Sequence, residues 1–180
     1  MEIIRGIRNL KPHQRGCVAT IGNFDGVHKG HQAILKLVRE RAHQLDVKSM
    51  LICFEPLPRE FFGDAPARLT RFRERVELLK EIGVDLVLYL KFDEHTRSMT
   101  AERFIEILTK EIGVTALFVG DDFQFGNDRS GGFSDLLIAG EMNGFEVTNL
   151  RTLMFEDVRV SSTRIRECLQ EGKFKEAEQM

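Results

Sequence analysis

The sequence predicts an α/β fold, a five-stranded parallel sheet with helices on both faces. Five short apolar, β-branched stretches begin about 30 residues apart, the length of one strand–helix–strand unit. Helically spaced apolar residues fill the intervals between them. Such alternation calls for a parallel sheet with right-handed crossovers, covered on both sides.

The predicted strands are Cys17–Ile21, Ser49–Phe54, Leu86–Leu90, Ala116–Val119 and Phe145–Thr148. Ile34, Leu35, Val38, Ala42 and Leu45 form one face of a first helix. Phe72, Val76 and Leu79 form a second, with Thr70 as its cap, and Phe104, Leu108 and Ile112 a third behind an N-cap at Thr100. Leu136, Leu137 and Met142 suggest a fourth. Three of the four prolines mark residues 56–66 as an irregular loop. A strand or hairpin over Leu153–Val160 precedes a last helix that starts near Ser161–Thr163. In sheets of this kind ligands bind at the carboxyl ends of the strands. The loops after Ile21, Phe54 and Val119 are therefore where a site is expected.

Length and composition narrow the function class. The chain has 180 residues and a mass of 20.7 kDa, which fits one domain. Its longest apolar runs, Met50–Phe54 and Leu86–Leu90, fall far short of the roughly 18–20 residues of a membrane span. No apolar signal stretch opens the sequence, and Cys17, Cys53 and Cys168 are odd in number and widely spaced. A reduced, cytoplasmic protein is expected rather than a disulfide scaffold.

The net charge of −2 argues against general nucleic-acid binding. Its distribution is uneven. Residues 1–45 hold 8 Lys/Arg against 3 Asp/Glu, and residues 151–166 hold 4 against 2, while residues 46–150 hold 12 against 19. Two basic segments flank an acidic middle, a pattern suited to a small polyanion if the fold joins them.

Gly22-Asn23-Phe24-Asp25-Gly26-Val27-His28-Lys29-Gly30-His31 follows the first predicted strand and opens the first helix. A helix start offers unpaired N–H groups and a positive dipole end. His28 and His31, three apart, share a face of its first turn. With Lys29 beside them they form a site for a triphosphate. The segment is neither a Walker loop nor a dinucleotide G-x-G-x-x-G. A metal reading, with Asp25, His28 and His31 as ligands, stays open, although no further His or Cys lies at a recognisable spacing. Ser161-Ser162-Thr163 suits an N-cap facing phosphate, with Arg166 three residues on. Phe54, Phe61, Phe62, Phe123 and Phe125 place stacking surfaces at the mouth of the expected cleft, although Phe123 is equally suited to the core.

His28-Lys29-Gly30-His31 resembles the HxGH signature of the nucleotidylyltransferases, and Ser161-Ser162-Thr163-x-x-Arg166 resembles their second signature. Gly22–His31, Phe54-x-Pro56, Pro66-Ala67-Arg68-Leu69-Thr70, Val119-Gly120-Asp121-Asp122-Phe123-x-Phe125-Gly126 and Ser161–Arg166 stand in one order. As a set they resemble the FMN adenylyltransferase (FAD synthetase) module of the bacterial bifunctional riboflavin kinase/FMN adenylyltransferases, over roughly residues 1–170.

The resemblance implies a Rossmann-like nucleotidylyltransferase fold and one domain over residues 1–180, the riboflavin kinase module being absent from this stretch. It implies ATP with Mg²⁺ and FMN as substrates, FAD and pyrophosphate as products, and no partner in nucleic acid or membrane. It places His28 and His31 on the α- and β-phosphates, and Ser161, Ser162, Thr163 and Arg166 on the β- and γ-phosphates. Gly22, Asn23, Phe24, Lys29, Gly30 and Asp122 complete the ATP side. Phe54, Pro56, Phe62 and Phe125 line the flavin side, and no protein ligand set for a metal is expected. Two positions depart from the pattern: Leu57 stands where some members carry a histidine, and Asp122 where some carry asparagine. Another phosphate acceptor, or a non-catalytic flavin- or nucleotide-binding module, is the alternative. A fragment of a class I aminoacyl-tRNA synthetase is disfavoured by the lack of a Lys-Met-Ser-Lys-Ser segment.

Overall fold

The computed structural model describes residues 1–120, 122–127, 129–150, 154–155 and 158–180. Its sheet has six strands: β1 (Glu2–Arg5), β2 (Val18–Ile21), β3 (Ser49–Phe54), β4 (Leu86–Leu90), β5 (Ala116–Gly120) and β6 (Glu146–Leu150). They lie in the order β1-β4-β3-β2-β5-β6 with every neighbouring pair parallel. Five match the expected strands within two residues. The sixth, β1, buries only Ile4 of its four residues and sits at the edge, held through backbone pairing with β4. With one buried side chain it carries no hydrophobic pattern to read.

The inner strands are apolar at almost every position because both faces are covered. Ala19, Ile21, Met50, Ile52, Leu86, Leu88, Leu117 and Val119 face one way. There they meet Phe104 of α5 (Ala101–Glu106), Leu108 and Ile112 of the wider π turn over Ile107–Ile112, and Leu136 of α6 (Phe133–Asn143). Leu51, Cys53, Val87 and Tyr89 face the other way, against Leu35 of α1 (Lys29–Gln44) and Leu79 of α3 (Phe72–Ile82). A further cluster joins Val38 and Ala42 of α1 to Val18, Ala116 and Phe118.

Several local expectations change. Thr70 does not cap α3; Arg71 holds that position, and its N–H donates to the Glu74 carboxylate at 2.7 Å. Thr100 does cap α5, accepting from Arg103 N–H at 3.2 Å. On α6 only Leu136 of the three apolar residues is buried, while Leu137 and Met142 are exposed. The proline-rich loop contains a short helix, α2 (Pro58–Phe61), and α4 (Glu94–Arg97) follows β4. A two-stranded hairpin, β7 (Met154–Phe155) with β8 (Val158–Arg159), precedes α7 (Ser162–Gln170) and α8 (Phe174–Gln179). Leu153, the expected start of that hairpin, lies outside the described residues.

The chain runs β2, β3, β4 toward one edge, then returns to β5 and β6 on the other side of β2. This reversal between β2 and β5 is the topological switch point, where the loops at the strand ends part and leave a crevice.

Candidate active site

A cleft of about 750 Å³ opens at that switch point. Its wall takes residues from the loop after β2, the ends of β3, β5 and β6, and the start of α7. A second concavity of about 790 Å³ lies at the opposite end of the sheet, among His13, Arg15, Arg39, His43 and Asp85. It holds none of the candidate site residues, and the C-terminal end is where this topology places ligands.

The loop after β2 is held in an unusual shape. Phe24 has φ 50°, Val27 φ 41° and Gly26 φ 84°. The positive φ favours glycine at position 26, where a Cβ would also crowd Leu69, at 2.8 Å from its Cδ1 and 3.2 Å from its Cβ. His28 caps α1, its Nδ1 accepting from His31 N–H at 3.3 Å. That bond leaves Nε2 of His28 as the ring's donor. The two imidazoles stack with centroids 3.6 Å apart and planes at 18°, and Phe24 stacks on His31 at 4.4 Å. Gly30 makes room for this: a Cβ would stand 3.1 Å from His28 Nδ1.

Burial holds both rings neutral. It pushes His28 down to about 4, against the opposing pull of the Asp25 carboxylate. Burial also lowers His31 well below the ordinary histidine range, with its neighbour His28 adding to the effect. Nδ1 of His31 is buried without a hydrogen-bond partner among the described residues.

Asp25 ties three segments together. Its carboxylate accepts from Leu69 N–H and Thr70 N–H, both at 3.0 Å, from the Thr70 hydroxyl, and from the Arg166 guanidinium. Its carbonyl accepts from Ser162 Oγ at 2.8 Å. The carboxylate is filled by protein donors, so Asp25 does not join the histidines as a metal ligand. Ser161 Oγ caps α7, accepting from Arg164 N–H at 3.2 Å. The Thr163 hydroxyl has no hydrogen-bond partner among the described residues.

Of the residues that the family resemblance placed in the site, Gly22, Asn23, Phe24, His28, Gly30, His31, Phe54, Asp122, Ser161, Ser162 and Thr163 line this cleft. Five do not. Lys29 Nζ donates to the Gln179 carbonyl at 2.6 Å, drawn off by the end of α8. Arg166 is held by Asp25 and, through Nε at 2.7 Å, by the Ala67 carbonyl. Pro56 is half-buried and not among the lining residues, and Phe62 is 58% exposed in a cluster with Phe61 and Phe92. Phe125 is buried against Phe104, with ring centroids 5.2 Å apart, and Phe123 takes the place on the cleft wall. Asp121 lies outside the described residues.

Arg129, which sequence reasoning missed, is the one Lys or Arg lining the cleft among the described residues. Its Nε donates to Gln124 Oε1 at 2.9 Å and its φ is 58°. The signal was faint, a single cation in the glycine-bearing stretch after β5. No three His, Cys, Asp or Glu group together to hold a metal ion among the described residues.

A parallel sheet that reverses beside two helix-opening loops, one bearing a stacked histidine pair and the other three hydroxyls, defines the nucleotidylyltransferase class. Within it, the FAD synthetase family model matches residues 10–164, and the chain belongs to that family. It is 50% identical over 183 residues to the bifunctional riboflavin kinase/FMN adenylyltransferase of Pseudomonas fluorescens, covering all of this chain and 58% of that protein. The protein of the same name from Escherichia coli K12 is 46% identical over 184 residues, covering 100% and 59%. The chain thus spans less than two thirds of the length of these relatives. Among solved structures, one described as a macrolide-efflux protein from Streptococcus pneumoniae aligns at TM-score 0.85 and 26% identity, covering 99% of this chain and 68% of that one. A pantoate-beta-alanine ligase from Francisella tularensis shares the fold at TM-score 0.56 and 11% identity, covering 92% and 73%.

Proposed function

We propose that this chain transfers the AMP unit of ATP to FMN, giving FAD and pyrophosphate. The observation that carries this is the single switch-point cleft, which joins the His28–His31 stack, the Ser161–Thr163 hydroxyls and the aromatic surfaces of Phe54 and Phe123. A phosphate oxygen of FMN attacks the α-phosphorus of ATP, and the bond from that phosphorus to the α–β bridging oxygen breaks. The FMN phosphate is already ionised at neutral pH, so the reaction needs no strong base.

The residues supply position and charge stabilisation. The neutral imidazoles donate hydrogen bonds to phosphate oxygens and contribute no cation. Thr163 and the N-terminus of α7 receive the outer phosphates. Arg129 takes the part that the sequence reading assigned to Lys29 and Arg166, facing the phosphate chain. Magnesium would come with the nucleotide and would supply charge neutralisation at its phosphates. Phe54 and Phe123 offer faces to the flavin ring. The relatives' names include riboflavin kinase, and that activity is assigned to none of the residues described.

The test presents the chain with MgATP and, in parallel, FMN, riboflavin, nicotinamide mononucleotide, phosphopantetheine and glycerol phosphate. The expected outcome is pyrophosphate release with FMN alone. Release with another acceptor in preference to FMN would replace the flavin assignment.

A further inference from the structure

Arg75 lies on α3, outside the cleft, and its side chain is wholly buried. Burying a guanidinium is costly, and apolar replacements of buried ion pairs are often neutral or stabilising. Its contacts give it another use. Nη1 donates to the Asn23 carbonyl at 3.1 Å, and Nη2 donates to Glu55 Oε2 at 2.6 Å. The guanidinium also lies over the Tyr89 and Phe72 rings, at 5.6 and 5.9 Å. Asn23 belongs to the loop after β2, and Glu55 directly follows Phe54 at the end of β3. Both Asn23 and Phe54 line the cleft. Arg68 holds the other oxygen of Glu55 at 2.6 Å and also binds Glu60 of α2.

We infer that Arg75 is a positioning residue: a buried bracket that fixes the nucleotide loop and the acceptor-side loop at the separation needed for in-line attack. This rests on the proposed adenylyl transfer. A planar fork can serve two acceptors on different loops at once, whereas an ammonium on a flexible stem cannot hold the same geometry. Phe24, whose left-handed backbone follows Asn23, depends on that carbonyl being held. The bracket thus acts on the reacting groups through the loops that carry them.

The test uses Arg75→Lys and Glu55→Asp, each of which keeps both charges while shortening or narrowing the bridge. A displacement near 1 Å between reacting groups costs about 10² in rate. The expected result is a fall in kcat of about 10- to 100-fold, with KM for ATP and FMN changed less than about threefold. The double variant should lose no more than the worse single one, as one shared bridge requires. Hydrogen exchange should quicken together at residues 22–26 and 55–57 and stay unchanged in β2 and β3. This last readout needs no catalysis, so an inactive wild-type chain would sink the adenylyl-transfer reading while the bracket was still judged. Unchanged kcat in a folded variant, additive losses, or exchange that quickens in only one loop would overturn the inference. If Arg75→Lys fails to fold, Glu55→Asp carries the same test. Unfolding of both would show the pair holding the fold rather than the cleft, and would overturn it too.

Discussion

The stacked pair of histidines carries most of the chemistry assigned to single residues. Both are kept neutral by burial, His28 at about 4 and His31 also below the ordinary value of 6.5. The native state therefore resists protonation that the unfolded chain accepts. Stability is fully present above about pH 6.5 and is lost as pH falls through that value toward 4. Thermal melts across that range should show a smaller acid loss in His31→Gln than in the wild-type chain; an equal loss would contradict the burial argument. His31→Ala should fold and lose about 10²–10³ in rate, the cost of one donor to a charge-bearing oxygen. Arg129→Ala should raise KM for ATP, whereas Lys29→Ala should leave it within about twofold. The residue types of the site were legible because a glycine-flanked pair of histidines at a helix start has few other uses. The directions of Lys29, Arg166 and Phe125 were not legible. Each is set by a partner far along the chain: the Gln179 carbonyl, Asp25 and Phe104.

Elements were read best where they are buried on both sides. The four- to six-residue strands at the centre of the sheet announce themselves by unbroken apolar runs, and β1 does not because its hold on β4 is mostly backbone. The helix suggested by Leu136, Leu137 and Met142 is present as α6, but Leu137 and Met142 are exposed and its buried side runs through Leu136, Ala139 and Gly140. A Cβ on Gly140 would stand 2.5 Å from the Phe145 carbonyl oxygen and 3.1 Å from Val147 Cγ2. Gly140→Ala should therefore destabilise the protein by about 1–3 kcal/mol despite the better helix propensity of alanine, read by urea unfolding. Thr100→Ala should cost about 1 kcal/mol through the lost cap of α5. It should leave kcat unchanged, since α5 lies away from the cleft wall.

At the scale of the molecule, the reversal of strand order between β2 and β5 places two segments 130 residues apart in one cleft. Strand order is a property of crossovers and not of local pattern, and it was anticipated only as the general rule that ligands sit at strand ends. The charge reading is altered in the same way. The two basic segments do bring residues to one cleft, but their cations Lys29 and Arg166 are spent on internal contacts, and the cleft takes Arg129 from the acidic middle. What the fold supplies is a shaped, largely neutral donor surface beside an aromatic one. Whether this surface moves the α-phosphate of ATP onto FMN is read from the fate of the label in α-³²P-ATP. With MgATP and FMN present, label is expected in FAD and none in pyrophosphate. Unlabelled flavin after prolonged incubation of folded, ATP-binding protein, or a flavin labelled instead from γ-³²P-ATP, would contradict it.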